Sequence, residues 1–235
     1  MSRLLLAQKP RHRKLRLIVA VMRSDLDHRR EVVIAFREEC VWARSIRTHF
    51  ATLYESGERR RQLLAEVANT FFGDLNAILI EYILLQQCKL TDPSSSGKHK
   101  ENLSTNYILS LDWHPETAAR LKDANATMMR FRTKVVDARR KLVAHSDLKT
   151  RMSLAALGAF TEEEEASFWT ALQRFVHEAH GEAVGGPFEI CAAMPDGDAG
   201  SLIHSLIEAV DYSDLAEQED GFLVRRYDKR RYEKA

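Results

Sequence analysis

Apolar positions recur at helical intervals through most of the chain. Between Arg11 and Tyr54, Leu15, Ile18, Val19 and Met22 are followed by Val33, Phe36, Val41 and Ile46, with almost no helix breakers. This spacing predicts one long helix, or two consecutive ones if Ser24 and Asp27 cap a restart. The stretch "ESGE" ends the segment. Residues 58–90 repeat the pattern, and "NTFFGDLNAILIEYILLQQCKL" is apolar around most of its circumference, which predicts a central helix covered by neighbours. "TDPSSSGKHKEN" (91–102) concentrates proline, glycine and serine and predicts an internal loop with a mobile tip.

"LSTNYILSLD" then reads as a short helix. "WHPETAARLKDANATMMRFRTKVVDARRKLVAH" (113–145) reads as a long one, with Pro115 suited to its first turn and Leu121, Met128, Phe131, Val135 and Leu142 on its apolar face. Thr161 and Glu164 form a capping-box pattern ahead of the amphipathic run to Ala183, and the positive end of that helix accounts for the four consecutive glutamates. "VGGPFEICAAMPDGDAG" predicts a second loop, "SLIHSLIEAV" a last helix, and "GFLVRRYDKRRYEKA" a basic peripheral tail. The fold class is all-α, read as one domain over 1–235 whose core covers about 30–210, with a helical extension before it and the basic tail after it.

Composition supports that reading. Glycine and proline number only 10 and 5, and charged residues make up 29% of the chain. The net charge of +1 conceals an uneven distribution: residues 1–30 carry nine Lys/Arg against two acids, whereas 211–220 carry five acids and no Lys/Arg. Any polyanion site must therefore be local rather than a property of the whole surface. Cys40, Cys88 and Cys191 lack zinc-binding spacing and read as reduced, buried thiols of a cytoplasmic protein. No metal and no cofactor is expected. The opening "MSRLLLAQKPRHRKLRLIVAVMRSD" breaks its apolar runs with charges, so it predicts neither a signal peptide nor a spanning helix, and no membrane partner.

The stretch with the most chemistry is "DARRKLVAHSD" (137–147), where Arg139, Arg140 and Lys141 precede an apolar triplet and His145. Cations near a helix C-terminus gain about 0.3–1 kcal/mol each from the dipole, which is sufficient reason for them to be there. The same field favours imidazolium and suits His145 to proton transfer near neutral pH. A guanidinium beside it would bind phosphate oxygens through paired hydrogen bonds. On one helix Arg140 and His145 lie about 140° apart and Arg139 and His145 about 240° apart, so neither pair is pressed together without a second element.

An arginine followed four to six residues later by histidine, near the end of a core helix in an all-α chain, resembles the HEPN superfamily. The form "ARRKLVAHSD", preceded by "LLQQCKLTDPSSSGKHKENLSTNYIL", is most similar to AbiU2-type HEPN proteins of abortive-infection systems, over roughly residues 30–210. The resemblance implies a HEPN-like helical bundle, a homodimer whose two Arg/His stretches line one cleft, and metal-independent endoribonuclease activity of a toxin or antiphage effector. Carried onto this chain, His145 is the general acid or base. Arg139 or Arg140 binds the phosphate, depending on whether five or four residues intervene. Lys141, Ser146 and Asp147 are candidate substrate contacts, and for Ser146 and Asp147 capping of the following turn competes with that role. Lys98 and His99 are weighed as RNA contacts against an ordinary solvated surface. Some toxins of the superfamily have a modifiable tyrosine two residues after the histidine, where this chain has Asp147, so control falls to another antitoxin or regulatory protein. The alternative is a noncatalytic HEPN module that binds RNA, a nucleotide or a partner.

Overall fold

A computed structural model describes residues 10–97, 100–138, 160–190 and 197–218, with the side chains of 25–97, 100–136, 160–190 and 197–211. The elements are α1 (Pro10–Phe50), a π-helical turn (Ala51–Glu55), α2 (Glu58–Leu90), α3 (Thr105–Ser110), α4 (Pro115–Ala138), α5 (Glu162–Ala183) and α6 (Ala199–Gln218). Among the described residues there is no strand, only an isolated bridge between Ser95 and Glu101. The all-α expectation holds.

Ser24 and Asp27 do not restart a helix. No glycine or proline stands between Pro10 and Gly57, so nothing interrupts the hydrogen-bond ladder, and α1 runs through both residues as one helix. Its end comes at the π-helical turn, after which Gly57 takes φ +105°, a conformation that costs a residue with a Cβ strain. α2 is interrupted at Ala68 (φ −161°, ψ 71°), a break that no proline or glycine marks. Pro115 opens α4 as its spacing predicts.

The described chain divides into two compact units, one drawing its residues from Met1–Ala43 and Leu84–Cys191, the other from Arg44–Ile83 and Ala192–Ala235. In the first, α4 packs along α5. Leu121, Ala124, Met128, Phe131 and Val135 recur every three or four residues on α4 and are buried, as are Phe168, Leu172, Phe175, Val176 and Ala179 on α5. Aromatic edges lock this core: Phe131 meets Phe168 at 5.2 Å and Phe160 at 5.0 Å, and Phe175 meets Phe36 of α1 at 5.9 Å between ring centres. Cys40 and Cys88 are buried and not in a disulfide, as their reading as thiols expects; Cys191 lies outside the described residues. Burial, reinforced by Glu39, pushes the Cys40 thiol well above the usual thiol range.

In the second unit, Leu53, Leu64, Phe72, Ala199 and Ile203 form the buried cluster, with Leu63, Leu75, Leu79 and Leu206 packed at its margin. The expectation that α2 is covered all round needs correction here. Its last turns are buried at Ile83, Leu84, Gln86, Gln87, Cys88 and Leu90, but Phe71 and Ile78 are each 61% exposed. The apolar circumference reflects two different surroundings along one helix rather than a single buried environment.

Candidate functional site

The stretch that carries the Arg/His pattern begins where the described part of α4 ends. Arg139, Arg140, Lys141, His145, Ser146 and Asp147 all lie outside the described residues, as do Lys98 and His99 of the loop. What the structure does build is the support that fixes α4 up to Ala138.

That support centres on Arg132, which the sequence reading did not single out. Its guanidinium donates to the carbonyl of Cys88 at 2.5 Å, to Thr91 Oγ1 at 3.2 Å and to Asp92 Oδ1 at 2.8 Å. Cys88 belongs to the last turn of α2, where carbonyls lack helical partners and the dipole is negative, so a cation there is favourable twice over. Thr91 Oγ1 in turn donates to the carbonyl of Gln87 at 2.8 Å. Asn106 of α3 donates to the carbonyls of Thr91 and Asp92, both at 3.0 Å, and receives a bond from Asn125 of α4 at 3.2 Å. The "KLTD" turn is thus tied to α3 and α4 through polar side chains. Ser104 caps α3 by accepting from the Tyr107 amide at 3.3 Å, which explains the "NLS" that precedes it. The clue in the sequence was an arginine one residue past the buried Phe131, on the side of α4 that an apolar pattern predicts to be covered.

The other side of α4 is held by α5. Thr161 accepts from the Glu164 amide at 3.3 Å while Glu164 accepts from the Thr161 amide at 3.0 Å, so the capping box forms as its sequence pattern predicts. Glu164 also receives a bond from Lys134, one turn before Ala138. The hydrogen bond from Lys134, then that from the Thr161 backbone, holds the Glu164 carboxyl below the usual glutamate range. Glu165 accepts from Gln87 at 3.2 Å and from the Trp169 indole at 3.1 Å, joining α5 to the end of α2. Arg132 and Lys134 are therefore both engaged with carboxylates.

A second arginine–histidine pair does lie within the described residues, and its geometry gives it a different task. Arg37 of α1 sits 3.2 Å from His180 Nε2, and His180 Nδ1 lies 3.1 Å from the carbonyl of Gly186. Arginine can only donate, so Nε2 accepts and the proton resides on Nδ1, bonded to Gly186. Phe188 packs 5.0 Å from the imidazole and 4.9 Å from the Arg37 guanidinium. His180 is only 7% exposed. The pair secures the segment after α5. Beside it an open cleft of about 430 Å³ is lined by Thr117, Arg120, His177, Glu178, Glu182 and Pro187. Its arginine is bonded to Glu178 at 2.7 Å, so the cleft is not electropositive in the way a polyanion requires. Among the described residues no group of His, Cys, Asp and Glu could hold a metal ion.

No curated protein and no solved structure matches the chain. A family model does: HEPN_AbiU2, described as AbiU2, matches residues 27–221, which takes in α1 from its fifth turn onward, the Arg132 clamp, the Arg/His stretch and α6. With an all-α fold and a match over most of its length, the chain belongs to the AbiU2 family of HEPN proteins, an abortive-infection-related HEPN domain.

Proposed function

We propose that the protein is a metal-independent endoribonuclease of the HEPN type, acting in the cytoplasm as a toxin or antiphage effector. The observation that carries this reading is the family match over residues 27–221, which encloses Arg139, Arg140 and His145 in the spacing of the superfamily's motif. Two copies of the stretch, one from each subunit of a homodimer, would overcome the angular separation that one helix imposes.

In the reaction the ribose 2′-oxygen attacks the adjacent phosphorus, forming the 2′-O–P bond and breaking the bond to the 5′-oxygen. His145 takes the proton of the 2′-hydroxyl or supplies one to the departing 5′-oxygen. Arg139 or Arg140 binds the non-bridging oxygens and stabilises the charge that builds on them. The products are a 2′,3′-cyclic phosphate and a 5′-hydroxyl. Lys141, Ser146 and Asp147 serve as further contacts to RNA, and a separate antitoxin or regulatory protein restrains the activity.

The decisive experiment incubates purified protein with RNA in EDTA and maps the chemistry of the ends. Cyclic-phosphate ends from the wild type, and none from His145→Ala with an unchanged circular dichroism spectrum, are expected. Equal cleavage by the two proteins would overturn the mechanism.

A further inference from the structure

The corner between α1 and α2 gathers positive charge that the fold uses only in part. Residues 44–61 carry Arg44, Arg47, Arg59, Arg60 and Arg61 against Glu55 and Glu58, a local surplus in a chain whose net charge is +1. All of them belong to the second unit, so the corner is complete within it. The end of the π-helical turn leaves carbonyls without helical partners, and side chains supply them. Ser56 Oγ donates to the Ala51 carbonyl at 3.0 Å, Arg60 to that of Thr52 at 2.7 Å and Arg61 to that of Tyr54 at 3.2 Å. Arg61 also donates to Glu58 at 2.6 Å, and Arg47 to Glu55 at 2.8 Å.

A carbonyl fixes a guanidinium without cancelling its charge. Arg60 is therefore held in place with its charge intact and with N–H donors to spare. Arg59 is exposed, and among the described residues neither it nor Arg60 meets a carboxylate. Arg37, Arg120, Arg132 and Arg174 differ, since each is paired with one. The dipole of α2 does not account for the pair either, because the first turn of a helix favours acids.

Aromatic rings stand beside these cations. Phe50 and Tyr54 are partly exposed, with ring centres 5.3 Å apart, and the Arg47 guanidinium lies 5.6 Å from the centre of the Phe50 ring. Cations that track a backbone, next to rings on which bases stack, are the means by which proteins hold single-stranded nucleic acid. An anionic membrane fits less well, since every exposed residue from 44 to 62 is polar or glycine and none is offered to hydrocarbon. We propose that this corner binds the RNA backbone, Arg59 and Arg60 each meeting one phosphate, as a second hold on RNA outside the Arg/His stretch. The choice of RNA rests on the ribonuclease reading, whereas the phosphate chemistry rests on uncompensated guanidinium groups of the corner itself.

Fluorescence anisotropy of a labelled 2′-O-methyl single-stranded RNA, titrated with the full chain in EDTA at several salt concentrations, tests this. Such RNA lacks the hydroxyl that attacks in the proposed reaction, so binding is read without cleavage. Arg59→Gln with Arg60→Gln, the second keeping a donor for the Thr52 carbonyl, should weaken binding with the circular dichroism spectrum unchanged. The slope of log K against log salt should fall by about 1.4, at about 0.7 for each phosphate on a single strand. Lysine at both positions keeps the charge and should keep the slope. Should the double change unfold the chain, Arg59→Gln alone, on an exposed side chain, should still lower the slope by about 0.7. A slope that these changes leave unmoved would overturn the proposal. So would an equal fall from Lys122→Gln with Arg130→Gln, exposed cations of α4, which would mean diffuse attraction. So would a loss confined to anionic phospholipid vesicles. Cleavage that His145→Ala abolishes, together with an unmoved slope, would remove this patch and leave the ribonuclease reading. Equal cleavage by wild type and His145→Ala, with the slope falling as expected, would remove that mechanism and leave the patch.

Discussion

At the scale of single residues the molecule separates two uses of the same chemistry. Arg132 and Arg37 are enclosed by acceptors and serve the fold, so the number of arginines near a helix end says little about function until each one's partners are known. The Arg132–Asp92 pair has side-chain exposures of only 13% and 18%. Removing one partner of such a pair leaves the other desolvated and uncompensated. Arg132→Ala should therefore cost about 2–4 kcal/mol of unfolding free energy, read by urea titration, whereas Arg130→Ala, on an exposed side chain bonded to Thr127, should cost a few tenths. Similar losses from the two changes would show that the clamp contributes nothing special. Glu164 gives a pH signature. Its folded pKa is lowered, first by Lys134 and then by the Thr161 amide, so its contribution to stability is complete above the ordinary glutamate range. That contribution disappears as pH falls from the ordinary range through the lowered folded value. Glu164→Gln keeps an acceptor for the Thr161 amide but no titrating charge, and the difference in stability between it and the wild type should shrink over that acidic interval. A constant difference across it would contradict the assignment.

At the scale of elements the period of apolar residues was a faithful guide wherever a helix has one environment throughout. α4 and α5 have that property, and their buried positions Leu121, Met128, Phe131 and Val135 are those the spacing selects. The capping box at Thr161 was equally legible because its bonds are local, and Thr161→Ala should cost about 1 kcal/mol in thermal or denaturant unfolding, with the loss recovered by Thr161→Ser. α2 was harder to read. Its burial changes along its length, from the exposed Phe71 and Ile78 to the buried Ile83 and Leu84, and no local pattern reports where cover stops. The break at Ala68 and the π-helical turn at Ala51–Glu55 were silent too, since neither coincides with a proline or glycine. The Arg132 clamp joins residues about forty positions apart, and hydrogen bonds of that kind belong to tertiary structure rather than to any window of sequence. The candidate site shows the opposite balance: Arg139, Arg140 and His145 were visible as a motif, and their meaning came from the family rather than from their spacing.

For the whole molecule, charge sets the terms on which RNA can bind. Nine Lys/Arg against two acids in residues 1–30 are offset elsewhere, notably by the five acids of 211–220, and the net charge is only +1. A protein with so little overall field gains no general attraction for a polyanion, so binding must rest on a few cations placed against particular phosphates. Each phosphate neutralised on a single strand contributes about 0.7 to the dependence of log K on log salt. If Arg139 and Arg140 each meet one phosphate, replacing both by alanine should lower that slope by about 1.4, while Arg120→Ala, whose guanidinium is already bonded to Glu178, should leave it unchanged. Titration of a single-stranded RNA with the His145→Ala chain, which the proposed mechanism makes silent, at several salt concentrations separates the two without interference from cleavage. A slope that falls equally for both variants would mean that RNA is gathered by diffuse charge, and the local site would lose its electrostatic basis. A fall confined to Arg139 and Arg140 would place phosphate recognition where the motif puts it.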